Sequence, residues 1–266
     1  MEYTLDKATA ISKVSDEVFT LTSDETYWNF TSAFGGWLSA GTLKALQSRA
    51  DFRGEVTSLN FTFISAVTAK TITLYINLLQ RRRTMDFWRV TARDDESDGK
   101  VLFAADIISG MRRESELTYN ADMPACKPLE ESTRLEPNPI APRWIKLFDL
   151  YLGEGVPFTK NETGRSILHI READGRPFDA QAIVAFVDTP MPRTFFLEEG
   201  LRLASTLSMS THIYATEADI AEVGTDYLRL VADCATVSHS LYNQECRLFR
   251  QDGLLLATSY QTAFFK

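Results

Sequence analysis

The chain has few cysteines, and none of them is placed for a metal or redox motif. Its 266 residues include only three, Cys126, Cys234 and Cys246, and no two form a C-x-x-C pair. An odd number of widely spaced thiols in a chain of this length argues against a disulfide framework. The three histidines are not accompanied by clustered cysteine or carboxylate ligands, so we expect no metal site and no bound cofactor.

Long apolar runs and an excess of positive charge are also missing. No stretch approaches the ~20 apolar residues that a membrane-spanning helix needs. Residues 1–21 are polar and acidic and lack the apolar centre of a signal peptide. With 28 basic and 36 acidic residues, the formal net charge is −8, which argues against nucleic acid as a partner. We therefore expect a cytoplasmic protein without a membrane span.

Several catalytic motifs are absent as well. The sequence contains no G-x-S-x-G elbow, no P-loop and no dinucleotide-binding fingerprint, which argues against a serine-triad hydrolase or a nucleotide-dependent enzyme. What is present is an ordinary globular composition, with 44% apolar and 24% charged residues. The length suits one large domain or two of ordinary size.

A buried helix is predicted near the N-terminus. From Phe34 to Leu46, small and apolar residues occur around the whole helical circumference, which is typical of a helix enclosed on all sides. The pair Gly35-Gly36 at its start favours close backbone approach, and Gly41 predicts tight packing against a sheet.

After this helix the apolar pattern changes to a period of two. Strands are predicted at residues 59–63, 72–78, 87–92 and 101–108, with a turn at 94–99. A helix followed by an antiparallel meander is an α+β unit, with the helix on one face of the sheet.

The same pattern occurs a second time. Residues 112–142 are interrupted by five prolines and read as a linker. Beyond them we predict strands at 144–152 and 166–170, a helix at 179–187 capped by Asp179, and strands at 205–214, 227–236, 241–249 and 254–264. The helix starts lie 143 positions apart (36 to 179) and the last hairpin turns 154 apart (99 to 253), which indicates a duplicated unit.

The predicted organisation is a first unit at 1–112, a linker at 113–142 and a second unit at 143–266. A single unit would expose a sheet edge, and joining the two units into one continuous sheet would bury it.

Three segments resemble the acyl-CoA thioesterase II family. They are the stretch Phe34 to Ala40 with the following Phe61 and Phe63, the run Gln80 to Thr84, and the segment LFRQDGLLLATSYQ from Leu248 to Gln261. The resemblance extends from about Thr22 to Phe265. It implies a double hot-dog fold and hydrolysis of acyl-CoA to the free acid and CoA, with acyl-CoA as the partner and CoA present only as part of the substrate.

The resemblance also implies a polar triad of Asp, Thr or Ser, and Gln in the second unit. The Gln falls on Gln261 and the hydroxyl at or near Thr236. The Asp falls at about Ser208, where there is no carboxylate. A serine hydroxyl is a poor general base near neutral pH, so Asp233, Glu245 and His239 are the candidate replacements.

Further substrate-binding candidates lie in the first unit. The backbone N–H groups of Gly35 and Gly36 open a helix and could stabilise an oxyanion, or the glycines could serve packing alone. Asn29 is a candidate for the same place. Arg82, with its two arginine neighbours, could contact CoA phosphates, or the run could be a solvated turn.

Three functions remain open from the sequence. The first is an acyl-CoA thioesterase, and the second is a non-hydrolytic acyl-CoA-binding protein that has lost the catalytic carboxylate. The third is a lyase of the hydratase type, which would need His169 or His212 beside an Asp in a pocket. Association into a homo-oligomer through a sheet edge or face is also open.

Overall fold

Fourteen strands form one antiparallel sheet in the computed structural model, which describes residues 2–137 and 141–266. The strands are β1 Ile11–Lys13, β2 Val18–Thr22, β3 Glu55–Phe63, β4 Thr71–Arg81, β5 Met85–Asp94, β6 Lys100–Gly110, β7 Thr133–Arg134, β8 Phe148–Glu154, β9 Ser166–Glu172, β10 Ala204–Ile213, β11 Leu228–Asp233, β12 Val237–Ser238, β13 Leu241–Phe249 and β14 Leu255–Phe265. Their order is β1-β2-β4-β5-β6-β3-β10-β14-β13-β11-β9-β8-β7, and β12 pairs with β13.

Five α-helices accompany the sheet in the described residues: α1 Thr4–Ala8, α2 Gly35–Gln47, α3 Ala180–Phe186, α4 Thr194–Leu197 and α5 Glu217–Ala221. Short 3-10 helices lie at Glu25–Tyr27, Leu129–Glu131 and Arg143–Leu147. No helix in these ranges is long and apolar enough to cross a membrane.

The two halves of the sheet have the same strand arrangement. In each half, the first strand after the long helix pairs with the last strand of the meander, giving β4-β5-β6-β3 in one half and β10-β14-β13-β11 in the other. The halves join where β3 and β10 pair antiparallel, with Ser210 opposite Asn60. The predicted duplication and continuous sheet are confirmed, and the architecture is a double hot-dog.

The two long helices pack against each other at the centre. Ten of the thirteen residues of α2 are buried, as expected for a helix that is apolar on all sides. A Cβ placed on Gly36 would lie 2.5 Å from the carbonyl oxygen of Ala185 in α3, and one on Gly41 would lie 2.6 Å from Leu21 in β2. The predicted tight packing of both glycines is confirmed.

One predicted strand begins later than the alternation indicated. Residues 143–147 form a 3-10 helix, and β8 starts at Phe148. Pro142 precedes this turn with φ −56°, a value that the proline ring imposes and that suits a helical start. Trp144 within the turn stacks on Phe34 with ring centroids 4.5 Å apart, so its burial reflects helix packing rather than sheet pairing.

The linker runs across the sheet of the second unit. Asn120 bonds to Gly253 and Leu255 at the final hairpin, and the carbonyl of Pro124 accepts from Arg229. Beneath it lies a small apolar cluster, separate from the main core, formed by Ile167, Val231, Phe249, Met123, Cys126 and Leu255. The linker therefore covers the face of β9, β11 and β13 that points away from the helices.

Candidate active site

Gln261 is the centre of a buried hydrogen-bond network on the helix-facing side of β14. Only 3% of the residue is exposed. Its Nε2 donates to Asp188 Oδ1 over 2.9 Å, and its Oε1 accepts from Thr206 Oγ1 over 3.0 Å. Since the side-chain amide has a distinct donor and acceptor end, these two partners fix its orientation.

Asp188 lies just beyond the C-terminal end of α3, two residues after Phe186. Pro190 and Pro192 prevent the helix from continuing, so the chain turns and the Asp188 side chain points towards Gln261. Burial in protein raises the pKa of its carboxyl to about 7, against a partial lowering by the Gln261 amide and the Gly36 backbone N–H. A carboxyl in this range can both accept and release a proton near neutral pH.

Thr206 reaches Gln261 because of a β-bulge in β10. Met209 pairs with Gln261, and Thr206 pairs with Ala263, two residues further along β14. Three positions on β10 therefore match two on β14, with Leu207 as the extra residue. Side chains alternate along a regular strand, and the bulge resets this alternation. Thr206 and Met209 consequently face the same side.

The N-terminal end of α2 closes the network from the first unit. The Gly36 backbone N–H partly lowers the pKa of the Asp188 carboxyl, and a Cβ on Gly35 would lie 2.7 Å from Asp188 Oδ2 and 3.2 Å from the Phe63 ring. The unpaired N–H groups and dipole of a helix start favour a negative charge there. Gly35 and Gly36 are thus brought to the same place as Gln261.

The hydroxyl and the acid position expected from the sequence lie elsewhere. Thr236 is exposed in the loop between β11 and β12, where its backbone N–H donates to Asn243, two strands from Thr206. Ser208 pairs with Thr262 and Thr62, so it faces the opposite side of the sheet from Gln261. In the structure the side chains that hydrogen-bond to Gln261 are instead those of Thr206 and Asp188.

Two further candidates have hydrogen-bond or stacking partners outside the network. Asn29 accepts a hydrogen bond from the Trp144 indole over 2.8 Å and stabilises the loop before α2. Arg82 lies in the turn between β4 and β5 and stacks on Phe87. Its neighbour Arg81 bonds to the Asp51 carbonyl, just past the C-terminal end of α2. Arg82 therefore lies towards the far end of that helix, whose axis from Gly35 to Gln47 is roughly 18 Å long.

The candidate replacement bases do not meet the network either. Asp233 and Glu245 pair across β11 and β13, and Glu245 is exposed. His239 is exposed in the turn before β13, with its hydrogen bond to Ser238. His169 lines a surface cavity on the linker side, but its ring bonds to the Lys127 carbonyl over 2.9 Å. No His–carboxylate hydrogen bond occurs in the described ranges, so no hydrogen bond supports the lyase interpretation.

Two protein-family models match this chain. A model described as the acyl-CoA thioesterase C-terminal domain matches residues 123–265, and its N-terminal counterpart matches residues 25–109. The chain belongs to the acyl-CoA thioesterase family. A search of the curated proteins finds no match.

Solved structures show the fold along the entire chain. A conserved protein of unknown function with a hot dog fold from Alicyclobacillus acidocaldarius is 26% identical, with 100% of this chain and 99% of that chain covered and a TM-score of 0.94. A putative thioesterase II from Thermobifida fusca is 19% identical, with coverage of 99% and 98% and a TM-score of 0.84. An acyl-CoA thioesterase II from Mycobacterium marinum is 15% identical, with 98% of each chain covered and a TM-score of 0.77.

One feature of the sequence could have identified Asp188, the acid of the network. Asp188 is the only charged residue between Asp179 and Arg193, a stretch otherwise composed of apolar residues, threonine, glutamine and proline. A charged side chain that directly follows a buried helix needs a partner or a function. Thr206 offers no such signal, because its orientation depends on a bulge.

Proposed function

We propose that this protein hydrolyses acyl-CoA thioesters at the site formed by Asp188, Thr206 and Gln261. Membership of the thioesterase family supports the class of reaction. The observation that carries the assignment is the hydrogen-bonded chain from the Asp188 carboxyl through the Gln261 amide to the Thr206 hydroxyl, located where α2 of the first unit meets the second unit.

Asp188 supplies the general base in this proposal. With a pKa of about 7, a substantial fraction of its carboxyl is ionised at neutral pH, close to the optimum for a base working there. Thr206 and Gln261 orient a water molecule beside it. The water oxygen bonds to the thioester carbonyl carbon as its proton passes to Asp188, the C–S bond breaks, and the proton is returned to the CoA sulfur. The products are the free acid and CoA.

The non-hydrolytic alternative depended on the absence of a carboxylate. The structure supplies one in hydrogen-bond contact with Gln261, so no observation now favours a binding protein without catalysis.

The direct test is release of CoA, followed with a thiol reagent, from short, medium, long and aromatic acyl-CoAs. We expect turnover above the uncatalysed rate on at least one class of substrate. Folded protein that releases no CoA from any of them would overturn the proposal, and the same panel run with Asp188→Asn separates site-dependent turnover from contaminating activity.

Replacement of the first glycine of α2 should disturb chemistry more than folding. In Gly35→Ala the new methyl group would lie 2.7 Å from Asp188 Oδ2, so the carboxyl must move. Displacements of about 1 Å can cost about 10²-fold in rate, and we expect a fall of that order in kcat.

Gly41→Ala provides the matched control on the same helix. Its methyl group would meet the flexible end of Leu21 at 2.6 Å, an overpacking that costs about 1–3 kcal/mol, offset by the roughly 1 kcal/mol gain in helix propensity. We expect a modest change in Tm with the original kcat. Equal kcat values for the two variants would contradict the placement of Asp188 beside Gly35.

A further inference from the structure

Arg193 is a fully enclosed cation beside the proposed active site. None of the residue is exposed, and no carboxylate pairs with it within residues 2–137 and 141–266. Its guanidinium donates instead to neutral oxygens: the carbonyls of Met191, Gly164 and Ala232, the Ser166 hydroxyl and the Gln244 side chain. Arg193 therefore fixes every one of these acceptors in position.

The contact between Arg193 and Gln244 determines which way the Gln244 amide points. Arginine has only hydrogen-bond donors, so the atom of Gln244 that meets Arg193 Nε, at 3.0 Å, must be the oxygen Oε1. The amide nitrogen Nε2 is then directed away from Arg193. Gln244 is only 4% exposed, and its Nε2 makes no hydrogen bond to any residue that the structure describes.

Gln244 lies next to the proposed catalytic network. Gln244 on β13 pairs directly with Gln261 on β14, and both side chains are buried on the helix-facing side of the sheet. Directly opposed residues of an antiparallel pair have Cβ atoms about 4.5–5.5 Å apart. An oriented amide donor therefore stands beside the residue that bonds to Asp188.

The site also needs such a donor. Thioester hydrolysis develops negative charge on the carbonyl oxygen, which enzymes stabilise with prearranged N–H groups. Of the two glycine N–H groups that the sequence suggested, that of Gly36 acts on the Asp188 carboxyl, whose pKa it partly lowers. The Gly35 N–H remains, and a side-chain donor beside Gln261 would supplement it.

We propose that Gln244 contacts the substrate through Nε2, as a donor to the thioester carbonyl oxygen, and that Arg193 is the positioning residue that orients its amide. This inference rests on the proposed thioesterase function and adds a residue to it.

Gln244→Glu separates the two roles of this side chain. The carboxylate that replaces the amide retains an acceptor for Arg193 but has no N–H to offer the substrate. We expect kcat to fall by about 10²-fold, the usual loss for one oxyanion donor, with an unchanged or higher Tm. The loss should persist on the alkaline plateau of the pH profile, where Asp188 is ionised whatever charge stands beside it.

Ser166→Ala is the matched control, because it removes another acceptor of Arg193 without touching the amide. It should lower Tm and keep kcat. Gln244→Met serves as a second variant, and we expect it to lower both. A Gln244→Glu protein with the original kcat on that plateau would overturn the proposal and leave the thioesterase function standing. Absence of turnover in the unmodified protein would overturn both.

Discussion

Asp188→Asn should reduce kcat by about 10²–10⁴-fold, the range expected when a general base is lost, without loss of folding. The amide is isosteric with the carboxyl and keeps one oxygen that can accept the hydrogen bond from Gln261, so we expect the variant to fold. The capacity to take a proton is removed. Steady-state hydrolysis of the best acyl-CoA substrate measures the effect, and the residual rate also bounds any contribution from the rest of the site.

The pH dependence provides an independent check on the same residue. Because the pKa of Asp188 is about 7, kcat/KM of the unmodified protein should rise with pH through an apparent pKa near that value. The Asp188→Asn variant should not show this rise of kcat/KM with pH. Asp106→Asn, which alters an exposed carboxylate paired with Arg89, is the control and should keep the original profile.

As pH rises towards 7, the stability that the Asp188 proton contributes should fall, whereas activity should rise. Burial raises the Asp188 pKa from its usual 3.8 to about 7, so the folded protein holds this proton more tightly than the unfolded chain. That contribution to stability is fully present below about pH 4 and is lost as pH rises to about 7. The Tm of Asp188→Asn relative to the unmodified protein should therefore increase over this interval, and a constant difference would contradict a desolvated carboxyl.

The fold was predictable because its signals are local and repeated. Apolar periods of two and of helical spacing depend only on which face of an element is buried, and the second unit repeats the first. The paired glycines and the cap at Asp179, which accepts from Ala182 N–H, are likewise properties of short segments. None of these required knowledge of how distant parts of the chain meet.

The site was predicted only in part, because two of its three residues depend on features that are not local sequence patterns. Gln261 belongs to a contiguous C-terminal motif and could be placed from sequence alone. Thr206 depends on one extra residue in β10, and a shift of one position exchanges the two faces of a strand. Asp188 directly follows the helix predicted at 179–187 and was not among the predicted site residues. The turn after α3 brings Asp188 into contact with Gln261, which lies 73 positions further along the chain.

Gln261→Leu is expected to reduce kcat by about 10²-fold or more, since positioning of a reactant supplies effects of that size. The change removes the donor to Asp188 and the acceptor for Thr206, so neither group is held and no amide orients the water. It also leaves the Asp188 carboxyl with fewer polar partners, which should raise its pKa further and move the limb of the pH–rate profile to higher pH.

Gln261→Glu distinguishes a catalytic contact from a structural one. It places a second carboxyl about 3 Å from Asp188, and two carboxyls this close share one proton and titrate as a pair. The apparent pKa of kcat/KM should therefore rise above that of the unmodified protein even if the variant is fully folded. Thr262→Val alters the next residue of β14, which faces the other side of the sheet, and should leave the profile unchanged. If Gln261→Glu and Thr262→Val gave the same profile, Asp188 would not be the group that titrates during turnover, and the assignment of the base would fail.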